Sequence, residues 1–171
     1  MYFEDESRFG LFTRNGRTLT KKGVKPVCRF QQVFKSTWLF GAVSPVNGDS
    51  FFLELPKCNS ATFEIFLKEL SDSKTDELKV IIVDNAAFHK AKKLKIPDNI
   101  VLIFQPPYNP EVNPAEKIWA KFKRNFTNKL YQSLDEISLF IEQQVNNLTE
   151  NEVISITRYG YIKSCLDWTI L

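Results

Sequence analysis

Residues 78–89 read LKVIIVDNAAFH, residues 99–114 read NIVLIFQPPYNPEVNP and residues 115–126 read AEKIWAKFKRNF. Val80, Ile81, Ile82 and Val83 make a β-branched run too short for a buried helix and closed by an acid. That pattern predicts a central parallel strand covered on both faces. Asp84 then stands at a strand's carboxyl end, the edge where open α/β sheets bind ligands. Ile100 to Phe104 repeats the pattern as a second buried strand. Gln105-Pro106-Pro107 ends it, because proline has no N–H for a ladder and restrains the residue before it.

A helix must start close by. Asn113 is the predicted N-cap, Pro114 the first helical position and Glu116 the third. At about 100° per residue, Ala115, Ile118, Trp119, Phe122, Phe126 and Leu130 share an apolar face, and Glu116 borders it with Ala120 and Lys123. Two readings of Glu116 follow. Asn-x-x-Glu is the spacing of a capping box, in which Glu116 only reaches back to the backbone of Asn113. A border carboxylate can equally point along the sheet edge toward Asp84.

The N-terminus offers a third acid. In Phe3-Glu4-Asp5-Glu6-Ser7-Arg8-Phe9-Gly10-Leu11, strand alternation puts Phe3, Asp5, Ser7, Phe9 and Leu11 on one face. Asp5 shares the apolar side, where an acid is costly unless paired or metal-bound. Glu4, Glu6 and Arg8 fall on the other side, and both glutamates read as ordinary solvated residues.

Asp5-Glu6-Ser7-Arg8-Phe9, then Asp84-Asn85-Ala86 with His89, then PYNPEVNPAEKIW at 107–119, together resemble the three catalytic blocks of the mariner-like DDE transposases, especially their bacterial insertion-sequence branch. The third block is long and specific, the first short. The resemblance spans roughly residues 2 to 126, and the interval between the second and third acids is slightly short for such enzymes. One departure is visible: Leu19 stands where relatives often carry a Trp ahead of the Lys22-Gly23 pair of a second hairpin strand.

The rest of the chain supports this arrangement. Its 171 residues are 43% hydrophobic and 13% aromatic, enough for one core, and residues 1–171 are read as a single domain. No run of eighteen apolar residues, signal peptide or repeat is present, which predicts a soluble intracellular protein with no membrane partner. Cys28, Cys58 and Cys165 lack ligand spacing and read as reduced core residues. Residues 2–12 form the predicted first strand, closed by a hairpin at Arg14-Asn15-Gly16. Residues 32–43 and 50–55 are two further strands, and Asn59 or Ser60 caps a helix through about Leu70 with Phe63, Phe66, Leu67 and Leu70 as its stripe. Residues 85–95 read as a short basic helix or turn. Ser133 caps a further helix with Ile137, Phe140, Ile141, Val145 and Leu148 inward, and an amphipathic stretch runs from Glu150 to about Lys163.

The order β-β-β-α-β-(α)-β-α-α predicts an α/β, ribonuclease-H-like fold: a mixed five-stranded sheet, three antiparallel strands then two parallel, with helices on both faces. In that topology the first strand lies beside the one ending in Asp84. Crowded carboxylates raise one another's pKa values, and divalent cations relieve the repulsion. Oxygen ligands suit Mg²⁺ or Mn²⁺, and two such ions can clamp both oxygens of an in-line phosphoryl displacement.

The resemblance implies that Asp5, Asp84 and Glu116 are catalytic and bind two Mg²⁺ or Mn²⁺ ions, with Asn85, His89 and Asn113 close by. His89 also reads as a packing residue, since a lone histidine usually is one. The implied substrate is double-stranded DNA, at transposon ends and target: hydrolysis releases 3′-hydroxyls, which then attack the target, typically at TA. A homodimer is the implied active assembly, and a cytoplasmic, nucleoid-associated protein of a prokaryotic host the implied setting. Residues 14–29 carry six basic residues and no acid, either a charged edge that blocks unwanted pairing or a phosphate-backbone surface. Arg14, Arg17, Lys21, Lys22, Lys25, Lys117, Lys121 and Arg124 are the candidate DNA contacts. Transposases of this type carry helix-turn-helix modules ahead of the catalytic domain, and Met1 stands four residues before Asp5. The expectation is a chain without that region, a fragment or split-frame product, binding DNA weakly and without end specificity. Two rival functions stay open: a ribonuclease-H-like nuclease that transposes nothing, and a decayed copy serving as a DNA-binding or dimerisation module.

Overall fold

The structure, a computed structural model, describes residues 1–17, 19–27, 29–107, 112–162 and 164. Strand β1 (Tyr2–Gly10) pairs antiparallel with β2 (Ser36–Val43), and β2 pairs antiparallel with β3 (Ser50–Leu55). Helix α1 (Ser60–Ser73) crosses to β4 (Lys79–Val83), which runs parallel to β1, and β5 (Ile100–Phe104) runs parallel to β4. The sheet order is β3-β2-β1-β4-β5. Helices α2 (Ala115–Phe126), α3 (Leu134–Asn146) and α4 (Glu150–Thr157) follow. This is the expected ribonuclease-H-like mixed sheet.

β1 is the central strand, and both its faces are covered. Phe3, Phe9 and Leu11 pack with Ile118, Trp119 and Phe122 of α2 and with Ile137 and Phe140 of α3. Tyr2 packs on the other side with Phe40, Ile81, Val83 and the α1 stripe Phe63, Phe66, Leu67 and Leu70. The alternation read from β1 holds, but its second face is not solvent. Glu4 is 0% exposed and Glu6 only partly exposed, which overturns their reading as solvated residues.

Helix α1 begins where its capping chemistry lies. Asn59 and Thr62 each accept the other's backbone N–H, both at 3.1 Å. Its far end is satisfied from the sheet: the buried Lys79 ammonium donates to the carbonyls of Ser71 (3.4 Å) and Lys74. A lysine at a helix C-terminus meets orphan carbonyls and favourable dipole together.

Three expectations change. The regular β1–β2 ladder stops at the Gly10–Ser36 pair, so the strands expected at 2–12 and 32–43 are shorter, and the described residues between 11 and 35 form a long irregular connection. Asn15-Gly16 closes no hairpin: the Gly16 N–H donates to Asn128 Oδ1 (2.8 Å) and the Asn128 N–H to the Arg14 carbonyl (3.0 Å), tying the connection to the end of α2. β5 is an edge strand rather than a buried one, with Val101, Ile103 and Phe104 exposed. Residues 85–95, read as a short basic helix or turn, take the turn alternative. Cys58 is a half-buried free thiol, while Cys28, Cys165 and the stretch 108–111 lie outside the described residues. No helix among the described residues is long and apolar enough to cross a membrane.

Candidate active site

Asp5 lies near the middle of β1, opposite Gly41 of β2. A Cβ on Gly41 would stand 2.7 Å from Trp119 Cη2, so glycine is what lets the indole lie across the strand there. In that position Trp119 Nε1–H donates to Asp5 Oδ2 at 2.9 Å. Burial, then the negative charges of Glu116 and Glu6, push the Asp5 carboxyl up to about 8, against the opposing pull of the Trp119 hydrogen bond. The β1–β4 register pairs Tyr2 with Ile81 and Phe3 with Ile82. Two steps further along, Asp5 comes level with Asp84.

The Asp84 side chain is 52% exposed. Its Oδ1 accepts from the Ala86 N–H at 2.7 Å and from His89 Nδ1 at 2.8 Å. His89 is 2% exposed and packs its ring against Phe63 and Phe88, with centroids 4.4 and 4.2 Å away. Its Nε2 stands 3.1 Å from Glu6 Oε1 and 3.6 Å from Glu4 Oε2. Burial disfavours the imidazolium, but the hydrogen bond and charge of Glu6 and the charge of Asp84 outweigh it, and the His89 pKa is raised. Both readings of His89 therefore hold at once: it packs in a core and bridges acids. The Glu4 carboxyl is raised well above the usual range by burial first, then by Glu6, Asp5 and Asp84. Burial followed by Glu6, Asp84 and Asp5 also lifts the Cys58 thiol to about 11, which keeps it protonated and unreactive.

Glu116 is exposed at the start of α2. The capping box is not formed. The cap position is Pro114, one residue later than expected, with no side-chain cap bond. Asn113 is buried and does other work: Nδ2–H donates to the Glu4 carbonyl (2.8 Å) and Oδ1 accepts from the Ala115 N–H (3.0 Å), pinning the helix start to β1. Asn85 Nδ2–H donates to the Gln105 carbonyl at 2.6 Å and ties together the exits of β4 and β5.

The structure thus brings Glu116 to Asp5 and Asp84 to His89. Asp5 is drawn toward α2 by Trp119, and Asp84 toward the α1 side by His89 and Ala86. Among the described residues the group whose donor atoms lie within 4.8 Å of one another is instead Glu4, Glu6 and His89. The sequence held a signal for that trio: two glutamates two apart on one strand face, on a strand central enough to be covered on both sides. Trp119 and Lys123 were also missed as site residues. Lys123, on the same helix border as Glu116, lies 3.8 Å over the Phe9 ring and donates to the Arg8 carbonyl. Burial, then Arg14 and Arg8, lowers it to about 8.

The basic candidates divide. Arg14, Arg17, Lys21, Lys22 and Lys25 are exposed on the connection after β1, and Arg124 is exposed on α2. Lys117 lies 5.9 Å from the Tyr159 ring, and Lys121 is 2.5 Å from Glu152 of α4. A cavity of about 730 Å³ opens between the connection and the α2–α3 junction, lined by Arg29, Tyr131, Glu136 and Phe140 among others, and Asp5, Asp84 and Glu116 are not among its lining residues.

Residues 1–138 match the family model described as DDE superfamily endonuclease. The uncharacterized protein y4pE/y4sA of Sinorhizobium fredii is 39% identical over 102 residues, which is 58% of this chain and 76% of that protein. Among solved structures, the Mos1 transposase paired-end complex with left transposon end superposes with a TM-score of 0.71 and 13% identity, over 92% of this chain and 51% of that one. A pre-cleavage Mos1 transpososome and a Mos1 mariner paired-end complex with Mn each give a TM-score of 0.72, again at 13% identity, 92% of this chain and 51% of that one. The chain spans about half the length of these Mos1 chains, and at that identity the likeness is one of fold. With four fifths of its length inside the family match and the fold shared, the chain belongs to the DDE superfamily of endonucleases.

Proposed function

We propose that this chain is the catalytic domain of a mariner-like transposase, carrying out metal-dependent cleavage of DNA at transposon ends and transfer of the freed 3′-hydroxyls into target DNA, typically at TA. The observation that carries this reading is the parallel β1–β4 pairing, whose register, continued two residues past Phe3–Ile82, sets Asp5 level with Asp84 just beyond the end of β4, with Glu116 close enough to raise the Asp5 carboxyl. The oxygen-only donor set of Asp5, Asp84 and Glu116 fits Mg²⁺ or Mn²⁺. Two such ions, when bound, would activate the attacking oxygen and stabilise the leaving one.

The protein's own residues supply position and charge. Trp119 Nε1–H and the Glu6 backbone N–H both bond the Asp5 carboxylate and hold it in place. His89 and the Ala86 N–H fix the direction of Asp84. Glu116 needs no cap partner and stays exposed, available to orient a water. Asn85 and Asn113 keep the strand exits and the helix start in place. Asp84 and Glu116 are exposed at the sheet edge, which suits a long, stiff polymer laid across that edge. The exposed bases after β1 and Arg124 would hold the phosphate backbone, with Lys117 and Lys121 contributing if they leave Tyr159 and Glu152. Two copies, one per transposon end, form the active complex in this reading.

The test is cleavage and strand transfer on pre-nicked transposon-end DNA with Mg²⁺ or Mn²⁺, comparing wild type with Asp5→Asn, Asp84→Ala and Glu116→Gln. Both steps should fall to background in all three while circular dichroism shows an unchanged fold. Full turnover in any one of them would remove that residue from the mechanism. Cleavage of duplexes or hybrids without strand transfer would favour a nuclease instead.

A further inference from the structure

On the α1 side of β1, away from Asp5 and Glu116 but next to Asp84, Glu4, Glu6 and His89 converge on one buried point. Glu4 is 0% exposed, and neither carboxylate oxygen has a hydrogen-bond partner. A buried carboxyl left without partners costs a large desolvation penalty. The histidine faces the same point. Its Nδ1–H donates to Asp84, so Nε2 presents either a lone pair or a second proton to two carboxylates at once. With a neutral ring the three groups carry two negative charges, which two protons or one divalent cation would balance.

We infer that Glu4, Glu6 and His89 form a second cation site, distinct from Asp5, Asp84 and Glu116, that takes a transition-metal dication of the zinc type. The spacing fits. Zinc–ligand bonds of about 2.0–2.2 Å place tetrahedral ligands roughly 3.3–3.6 Å apart; Nε2 lies 3.6 Å from the Glu4 oxygen, within that range, and 3.1 Å from the Glu6 oxygen, slightly under it. The donor set fits as well: an imidazole nitrogen with carboxylates favours zinc over magnesium. So does the outer shell, since a ligating histidine commonly passes its other N–H to a carboxylate, and here that carboxylate is Asp84. The ion would lock the β1–β4 edge from beneath and set the direction of Asp84 through the imidazole. The site does not depend on the chain acting on DNA.

The test is calorimetric titration of Zn²⁺ into the full chain in a large excess of Mg²⁺, which occupies oxygen-only sites. Wild type should bind one equivalent, and the Asp5→Asn/Glu116→Gln double variant should bind it equally well. Glu4→Gln and His89→Gln should each weaken binding by roughly 100-fold or more, at or beyond the upper end of outer-shell losses. Zinc-edge anomalous scattering from wild-type crystals gives an answer that needs no variant: a peak between Glu4, Glu6 and His89. The inference is overturned by no binding in wild type, by binding unchanged in Glu4→Gln and His89→Gln, by its loss in the double variant, or by a peak only at the other acids. Because the double variant is the one expected to abolish cleavage, failure of this site and failure of the catalytic assignment read out separately.

Discussion

Replacing Asp5 by Asn should make the metal-free protein more stable while destroying its activity. In the folded chain the Asp5 carboxyl is pushed from 3.8 up to about 8 by burial and by Glu116 and Glu6. The sign follows from proton linkage: a folded acid with a raised pKa binds more protons than the unfolded chain, so stability falls as pH climbs from about 4 to about 8. At about 1.36 kcal/mol per unit, the whole interval corresponds to roughly 6 kcal/mol. Relaxation and water entry around a buried charge remove a large part of that, so roughly 2–3 kcal/mol is expected. Asn keeps the shape and still accepts the Trp119 N–H, so it sheds the charge penalty with little new cost. At roughly 2–4 °C per kcal/mol for a chain of this size, Asp5→Asn should melt roughly 4–12 °C higher than wild type at pH 8 in chelator. At pH 5 less than a third of the interval has been crossed, and the gap should shrink accordingly. Adding Mg²⁺ at pH 8 should raise the melting point of wild type and leave the variant nearly unmoved, because only a folded-state ligand shifts the balance. A variant less stable than wild type at pH 8, or a gap equal at both pH values, would refute the reasoning.

Other perturbations test other parts of the site. Trp119→Phe keeps the ring but loses the N–H to Asp5, and a hydrogen bond to a charged group is worth roughly 1.5–3 kcal/mol; Mg²⁺ affinity should change and cleavage should drop at least tenfold with the melt still cooperative. Gly41→Ala places a methyl 2.7 Å from Trp119 Cη2, so it should displace the indole and copy the Trp119→Phe defect, which tryptophan fluorescence can follow. Neutralising Lys21, Lys22 and Lys25 together should weaken DNA binding about equally for all sequences and reduce the slope of log K against log salt by roughly 2.7, at about 0.9 per phosphate contact. Asn113→Ala should cost roughly 1–3 kcal/mol in chemical denaturation, since it strands the buried Glu4 carbonyl.

Local pattern made much of this fold legible. The β-branched run at 80–83, the α1 stripe and the Ser133 cap each carry their signal within a dozen residues, and each element forms where that signal lies. What failed was information held by neighbours. Ile100 to Phe104 has the composition of a covered strand, yet it lies at the sheet's edge because no strand follows it there. Asn15-Gly16 has hairpin chemistry, but its N–H is claimed by Asn128, more than a hundred residues away. Asn-x-x-Glu has capping-box spacing, but the Asn113 amide is taken by the Glu4 carbonyl. In the last two cases a long-range partner outbid a local one.

Glu4 and Glu6 show why the candidate site was only half legible. Period-two alternation divides β1 correctly into two faces, and it separates Asp5 from both glutamates. Alternation says which residues share a face; it does not say what covers that face. Polar residues on a strand face mean solvent only if no helix crosses above them, and α1 does cross there, bringing Phe63 against His89. Once both faces of a central strand are buried, three consecutive acids cannot all be surface residues, and each must find a proton, a donor or a cation. Asp5 finds Trp119, Glu6 finds His89, and Glu4 finds no hydrogen-bond partner without a proton. The two sides of β1 therefore pose the same electrostatic problem with different ligand sets, oxygen-only toward α2 and oxygen with imidazole toward α1. Metal selectivity between magnesium and zinc is the property by which those two sides can be told apart.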